Sequence, residues 1–432
     1  MDRSLWAVMA GTFTLRFSTG LTGAMLGVYL AKLPEHGGVA VAATTLGLLH
    51  ATFYLSELFL SPIFGVLSDR LGHHRVMLFG PAFGAVAVIL TGLTTNLVIL
   101  GGTRILEGAS TAASIPSILG YIALATAGNE LLRGQAAARF EGATLAGIGV
   151  GFAVAPLLFG ALGPIAFFLN ALFYGGSFLI YQYGVEDRDK DERKAAAATR
   201  TSSLDLSRYR VLLRTSNVWL LAPTWIAVNA SIGVWFSQSI FQFSAPNAAF
   251  PDQILHQGFT PLQISLAAVA VGVLFGAGLL YWGNRFKNTR RTTIILYGIG
   301  GGALVALGGL AINHGGVLPI AVPILALGFV AFGLFVLAGA TPAALGLLAD
   351  ISEEFPSDRG AIMGLYSVFL ALGQIAGSLI GGVAADWRGF DGLLVATFGL
   401  LAIAILPLMQ LRRHEHYVGG VSAPATLHET AE

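Results

Sequence analysis

Twelve long, nearly uncharged apolar stretches constrain this chain more than any other feature. A helix needs roughly 20 mostly apolar residues to cross the hydrocarbon core of a bilayer. The stretches fall at 5–33, 44–67, 75–93, 97–126, 141–162 and 164–183, then at 218–243, 261–283, 292–312, 318–349, 359–386 and 390–411. Backbone polar groups cannot stay unpaired in lipid, so spans must be helices or strands of a closed barrel. These runs are too long for barrel strands and show no two-residue alternation. The expected fold is therefore an all-α membrane protein with 12 transmembrane helices. Charged residues make up 11% of the chain, against about 25% in soluble domains. The mean hydropathy of +0.74 agrees. The first stretch runs well past signal-peptide length and is read as a span rather than a removed leader. The chain has no cysteine, which excludes thiol and disulfide chemistry, and its net charge of +1 argues against a nucleic-acid partner.

The segment 186–217 is the one long charged linker, opening with nine consecutive charged residues from Glu186 to Lys194. It divides the spans six and six: an N-terminal bundle over 1–185, a C-terminal bundle over 218–411 and a tail over 412–432. Within the linker, 204–213 has the pattern of a short amphipathic helix. Basic residues set the orientation. Of 24 Lys and Arg, Arg16 and Arg104 lie inside spans, Lys32 and Arg388 fall on one side, and the remaining 20 fall on the other. The positive-inside rule makes that richer side cytoplasmic, with both termini, the linker and the polar gap at 65–75.

Internal similarity suggests duplication. Asn284-Arg285 follows span 8 as Asp69-Arg70 follows span 2, and 283–291 reads as a degraded copy of 65–75. Leu106-Glu107-Gly108-Ala109 in span 4 parallels Leu337-Ala338-Gly339-Ala340 in span 10. Arg133-Gly134 before span 5 parallels Arg359-Gly360 before span 11, and Gly147 and Gly151 then match Gly373 and Gly377 at the same offset. Repeated halves are common in secondary transporters.

Five ionisable residues are embedded: Arg16 in span 1, His50 and Glu57 in span 2, Arg104 and Glu107 in span 4. Each costs on the order of 2.5–3.5 kcal/mol unless paired or facing water. At 1.5 Å per residue, Arg16, Glu57 and Glu107 sit about 15 Å deep. His50 and Glu57 are two turns apart and share a face. Arg104 and Glu107 can pair along one helix. Two readings stand side by side: a static ion-pair network joining spans 1, 2 and 4, or a site that carries protons or substrate charge. Glu57 lacks a basic partner on its own helix and is the stronger proton carrier; Glu107 has Arg104 beside it. The second half offers neutral candidates for a substrate cavity, namely Asn229, Trp235, Gln238, Gln263 and Gln374. A mostly apolar cavity with a few amides suits a hydrophobic or amphipathic small molecule.

The stretch Gly65-Val66-Leu67-Ser68-Asp69-Arg70-Leu71-Gly72-His73-His74-Arg75 resembles the loop 2–3 motif of the major facilitator superfamily, G-x-L-[SA]-D-R-x-G-[RH]-[RKH]-[RK]. Arg104-Ile105-Leu106-Glu107-Gly108 is similar to the family's span 4 motif, R-x-x-[QE]-G. Span 5 carries Gly142, Gly151, Pro156 and Gly160 at the spacing of the family's antiporter motif, with Ala155 and Phe159 at two of its glycine positions. A bulky Phe159 is expected to block the close helix approach that glycine permits. The resemblance implies two pseudo-symmetric six-helix bundles, a central cavity and alternating access. It further implies a coupling role for Arg104. Asp69, with Gly65, Arg70, Gly72 and Arg75, would form a gate that faces the start of span 11 near Arg359, helped by acidic groups among Glu130, Glu141, Glu353 and Glu354.

These features lead to an expected secondary transporter for a small hydrophobic or amphipathic molecule, working by proton-coupled efflux in the plasma membrane as a monomer. Alternatives are a proton-coupled importer or lipid flippase, or a membrane assembly or pigment-handling protein that does not pump. No nucleotide loop, metal-ligand spacing or nucleophile–base arrangement suggests an enzyme, a cofactor or a metal site.

Overall fold

The computed structural model describes residues 2–187, 218–285, 289–353, 359–414, 417–418 and 421–422, with backbone alone at 130, 349–353, 359–364 and from 414 onward. Most of the expected linker, including its amphipathic segment, and most of the tail lie outside these residues, as does Glu354. Helices account for nearly all of the described chain; the one sheet is a two-residue hairpin pairing Tyr417–Val418 with Val421–Ser422.

The helices are α1 (Arg3–Ala31), α2 (Ala43–Leu71), α3 (His73–Met77), α4 (Phe79–Leu93), α5 (Leu97–Ala125), α6 (Glu130–Leu162), α7 (Ile165–Gly184), α8 (Val218–Ser244), α9 (Pro261–Gly283), α10 (Arg291–Asn313), α11 (Ala321–Leu337), α12 (Ala340–Glu353) and α13 (Arg359–His414). Among the described residues, ten segments are long and apolar enough to cross a membrane. One of them, Leu365–Arg413, holds two spans folded at Arg388 and Gly389, whose dihedrals are not helical. Adding α1, which is 29 residues long, gives the expected twelve. Its six hydroxyl or charged residues from Thr12 to Thr22 lower its hydropathy. The hydroxyls of Thr14, Ser18, Thr19 and Thr22 donate back to carbonyls four residues earlier, which satisfies them without leaving the helix.

Several boundaries differ from the sequence reading. Span 2 does not end in a loop at 65: α2 continues to Leu71, and the break is Gly72 alone, at φ 101° and ψ 139°. Its N–H still bonds to the Ser68 carbonyl, so the interruption is one residue wide. Span 5 likewise begins at Glu130 rather than 141, with the Asn129 side chain accepting from the Leu132 N–H as a cap. Arg133 and Gly134 thus belong to the helix rather than precede it. Polar residues at both places extend helices beyond their apolar parts, a continuation that hydropathy does not register.

The chain divides into two compact units. One comprises Met1–Ser203, Ser237–Asn247 and Gln257–Val269; the other Leu204–Phe236, Ala248–His256 and Ala270–Glu432. The first unit has a core built around Leu5, Leu15, Leu21, Tyr29, Phe167, Tyr174 and Tyr181, the second around Leu221, Trp225, Ile294, Leu348, Leu401 and Leu408.

Within each unit the glycine pairs seen in the sequence do the same work. A Cβ at Gly147 would meet the Phe13 carbonyl, Arg16 Cβ and Phe17 N; at Gly151 it would meet the Phe17 carbonyl and Leu21 N. In the second unit a Cβ at Gly373 would meet Asn229 Cβ, the Ile226 carbonyl and Ala230 N, and at Gly377 the Ala230 carbonyl and Val234 N. The helices answer in kind: Gly20 abuts Ile148, and Gly233 abuts Gln374. Each contact in one unit has a counterpart in the other at a constant offset. Span 5 packs on span 1 as span 11 packs on span 7. In that correspondence Arg16 and Asn229 occupy equivalent positions. Close backbone approach at small residues supplies the dispersion contact that lipid cannot provide by hydrophobic burial.

Candidate functional site

The first unit contains a layer of buried polar side chains. Arg104 and Glu107 form a salt bridge of 2.6 Å, with both side chains almost wholly buried. Arg104 Nε and Nη2 have no hydrogen-bond partner among the described residues. Unsatisfied donors in a buried arginine are rare, and each one calls for an explanation. Around this pair, Asn170 Nδ2 donates to the Ser18 carbonyl at 3.0 Å and to Thr22 Oγ1 at 2.7 Å. Thr12 and Tyr181 share a hydrogen bond of 3.2 Å.

Arg16 lies on the same layer, buried, with Nη1 donating to Thr111 Oγ1 at 3.4 Å. Its guanidinium is within electrostatic reach of Tyr54 and Glu57 on α2 and of Glu141 on α6. Glu57 and His50 are half-buried. Two contacts draw α2 against α5: Ser56 Oγ donates to the Ile105 carbonyl at 2.8 Å, and Gly108 leaves room for the Phe53 carbonyl. Arg104 in turn is within electrostatic reach of His50. All five embedded ionisable residues thus belong to one polar layer drawn from α1, α2 and α5. Sequence reasoning paired Arg104 with Glu107 through helix spacing. Glu141, named there among possible gate partners, lies within electrostatic reach of Arg16.

The motif residues are arranged locally. Asp69 is exposed, and its carboxylate lies 3.9 Å from His73 Nε2, across the Gly72 break. His73 Nδ1 contacts Ser68 Oγ at 3.2 Å, while Ser68 Oγ donates to the Gly65 carbonyl. His74 is buried and bonds through Nε2 to the Tyr181 carbonyl at 3.0 Å, which ties the start of span 3 to α7. The side chains of Glu130 and Glu353, offered as gate partners for Arg70 and Arg75, lie outside the described residues.

In span 5, Gly151 makes the tight contact already described, and Gly160 sits against the ring of Pro261. Gly142 faces open space. The Phe159 ring is buried, with its centroid 5.9 Å from that of Tyr29 and 6.1 Å from that of Phe167. The aromatic cluster replaces the close contact that a glycine would make.

The neutral candidates divide. Asn229 is buried and donates to the Trp225 carbonyl on its own helix. Gln374 Nε2 reaches the Asn229 carbonyl at 3.4 Å, and its Oε1 is buried with no partner among the described residues. Trp235 donates to Thr397 Oγ1 at 2.9 Å and stacks on Phe390. Gln238, in the first unit, donates to the Ala43 carbonyl. Gln263 lies in the first turn of α9, exposed, where its Oε1 accepts from Thr260 N and Oγ1. That position caps a helix.

The family model described as Major Facilitator Superfamily matches residues 8–247 and 236–426. The chain belongs to the Major Facilitator Superfamily. Among curated members, the quinolone resistance protein NorA of Staphylococcus aureus (strain MSSA476) is 23% identical over 396 residues, covering 89% of this chain and 91% of that protein. Multidrug resistance protein 2 of Bacillus subtilis (strain 168) is 28% identical over 395 residues, covering 87% and 89%. Among solved structures, the nucleoside transporter NupG superposes with a TM-score of 0.67 at 12% identity, over 95% of this chain and 99% of that one. A peptide transporter, POT, in complex with alafosfalin gives 0.68 at 15% identity, over 96% and 95%. The helical architecture is that of a major facilitator transporter, and the protein is a multi-pass membrane protein.

Proposed function

We propose that this protein is a secondary active transporter that exports a small hydrophobic or amphipathic molecule in exchange for protons, by alternating access. The observation that carries the reading is the polar layer of buried Arg16, Arg104 and Glu107 with half-buried His50 and Glu57. Embedded ionisable groups are costly, and in transporters they mark ion and substrate paths. Glu57 is the proton carrier in this reading: it is half-buried, within electrostatic reach of Arg16, and among the described residues forms no salt bridge that would hold it ionised. Arg104 is the coupling residue. Its two unsatisfied donors leave it able to exchange partners as helices move. The drug-resistance names of NorA and multidrug resistance protein 2 support an amphipathic substrate and outward movement. Asn229, Trp235, Gln238 and Gln374 are proposed to contact substrate, and Asp69 with Arg70 and Arg75 to gate the cytoplasmic side. The proposed arrangement is two six-helix bundles, 1–185 and 218–411, joined by 186–217, in the plasma membrane as a monomer with both termini inside.

Flux of a lipophilic cation such as ethidium into proteoliposomes, under proton gradients of either sign, tests this function. Export predicts that dye moves against the proton flow. Dye that moves only with the proton flow would establish an importer instead.

A further inference from the structure

The connections that follow spans 7, 9 and 11 meet in the second unit, at a cluster the transport reading leaves unused. The span 11–12 turn is sharp, with Gly389 at φ +57°, and a Cβ there would collide with His256 Nε2 and Gln253 Oε1. Gln253 Nε2 donates to the Arg388 carbonyl at 2.9 Å. The Phe390 N–H donates to both Gln253 Oε1 at 2.9 Å and His256 Nε2 at 3.2 Å. Asn313, at the end of α10, donates to Asp391 Oδ1 at 2.8 Å and accepts from the Leu255 N–H at 3.3 Å. His314 follows it. Its Nε2 lies 2.9 Å from Asp391 Oδ2, and its Nδ1 lies 3.7 Å from Asp252 Oδ2.

Both ring nitrogens of His314 thus face carboxylates, which only accept hydrogen bonds when ionised. A neutral imidazole can donate its one N–H to Asp391 but carries no charge to attract Asp252 at 3.7 Å; the imidazolium bonds to the first and attracts the second. We propose that His314 is a proton-binding clasp: protonated, it ties the segment carrying Asp252 to Asp391 at the head of span 12, and on losing its proton it lets that segment go. The Asp252 contact is the one released, because it is longer and its side chain is 61% exposed, against 21% for Asp391. Histidine changes charge between pH 5 and 8 more readily than other side chains.

The other charged groups at the cluster do not mimic this step. His256, on the short 3₁₀ turn Ile254–His256, faces Asp391, but burial pushes its imidazole down to about 4 against the pull of that carboxylate. Its Nε2 is an acceptor for Phe390, which requires the unprotonated nitrogen. Arg388 lies with its guanidinium 5.8 Å from the Trp387 ring.

Hydrogen exchange of peptides covering 248–256, measured on the full chain at pH 6.0 and 8.0 and corrected for intrinsic rates, tests the clasp without requiring transport. Loss of the His256 anchor toward low pH is common to wild type and variants, so the readout is the ratio of protection at pH 6.0 to that at pH 8.0, compared between proteins. That ratio should be about two- to fivefold larger in wild type than in His314→Gln or Asp252→Asn, the range set by one solvent-exposed ion pair. Asp252 is exposed enough that its variant will fold even if the histidine variant does not. The same ratio in wild type and in either variant would overturn the proposal.

Discussion

At the residue scale, two kinds of contact carry the first unit: glycines that admit a neighbouring backbone, and a buried ion pair. Gly151→Leu puts a side chain where the Phe17 carbonyl and Leu21 N already sit. Overpacking of this kind costs about 1–3 kcal/mol, so a lowered unfolding temperature of purified protein is expected, and Gly377→Leu should do the same in the second unit. The glycine spacing was legible in the sequence because a four-residue interval returns to one helix face; the partner helices were not, because nothing in a single sequence says which backbone fills the gap. Arg104 and Glu107 separate structure from function. Removing one partner leaves a buried charge uncompensated, which costs roughly 3–5 kcal/mol. Arg104→Leu alone should therefore unfold at lower temperature than the Arg104→Leu, Glu107→Leu double variant. A coupling role predicts that both lose proton-driven flux despite that difference in stability.

At the scale of elements, single glycines set where helices end. Gly72 occupies a backbone region that L side chains rarely adopt, with a cost of order 1–3 kcal/mol. Gly72→Ala should destabilise the α2–α3 junction, seen as faster exchange of the amides around 68–76. The motif was recognisable from its residues, yet its geometry was not: Asp69 and Arg70 looked like loop residues because charge is read as a gap, and they are the last turn of a helix. The connection holding His256 offers a pH prediction. The unfolded imidazole takes its proton near 6.5 and the folded one not until about 4. Between those values the unfolded form binds more protons, so stability rises with pH. The anchoring of 253–256 is complete above pH 6.5 and should weaken as pH falls from 6.5 to 4. His256→Gln should flatten that slope in a thermal-unfolding series. This cluster was illegible in the sequence, since Gln253, His314 and Asp391 are brought together from positions up to 138 residues apart.

At the scale of the molecule, the twelve apolar stretches and the repeat were enough to give the fold, because lipid leaves a spanning chain few alternatives. The embedded charges were equally visible. What they do together depends on how α1, α2 and α5 pack, and on Arg16 standing where the second unit has Asn229. That asymmetry places the proton chemistry of the account in the first unit. The central claim is that Glu57 carries the proton. The direct measurement compares wild type and Glu57→Gln in proteoliposomes, in gradient-driven flux and in gradient-free exchange of labelled substrate. The account predicts that the variant loses gradient-driven flux while exchange persists; undiminished gradient-driven flux in Glu57→Gln would contradict it.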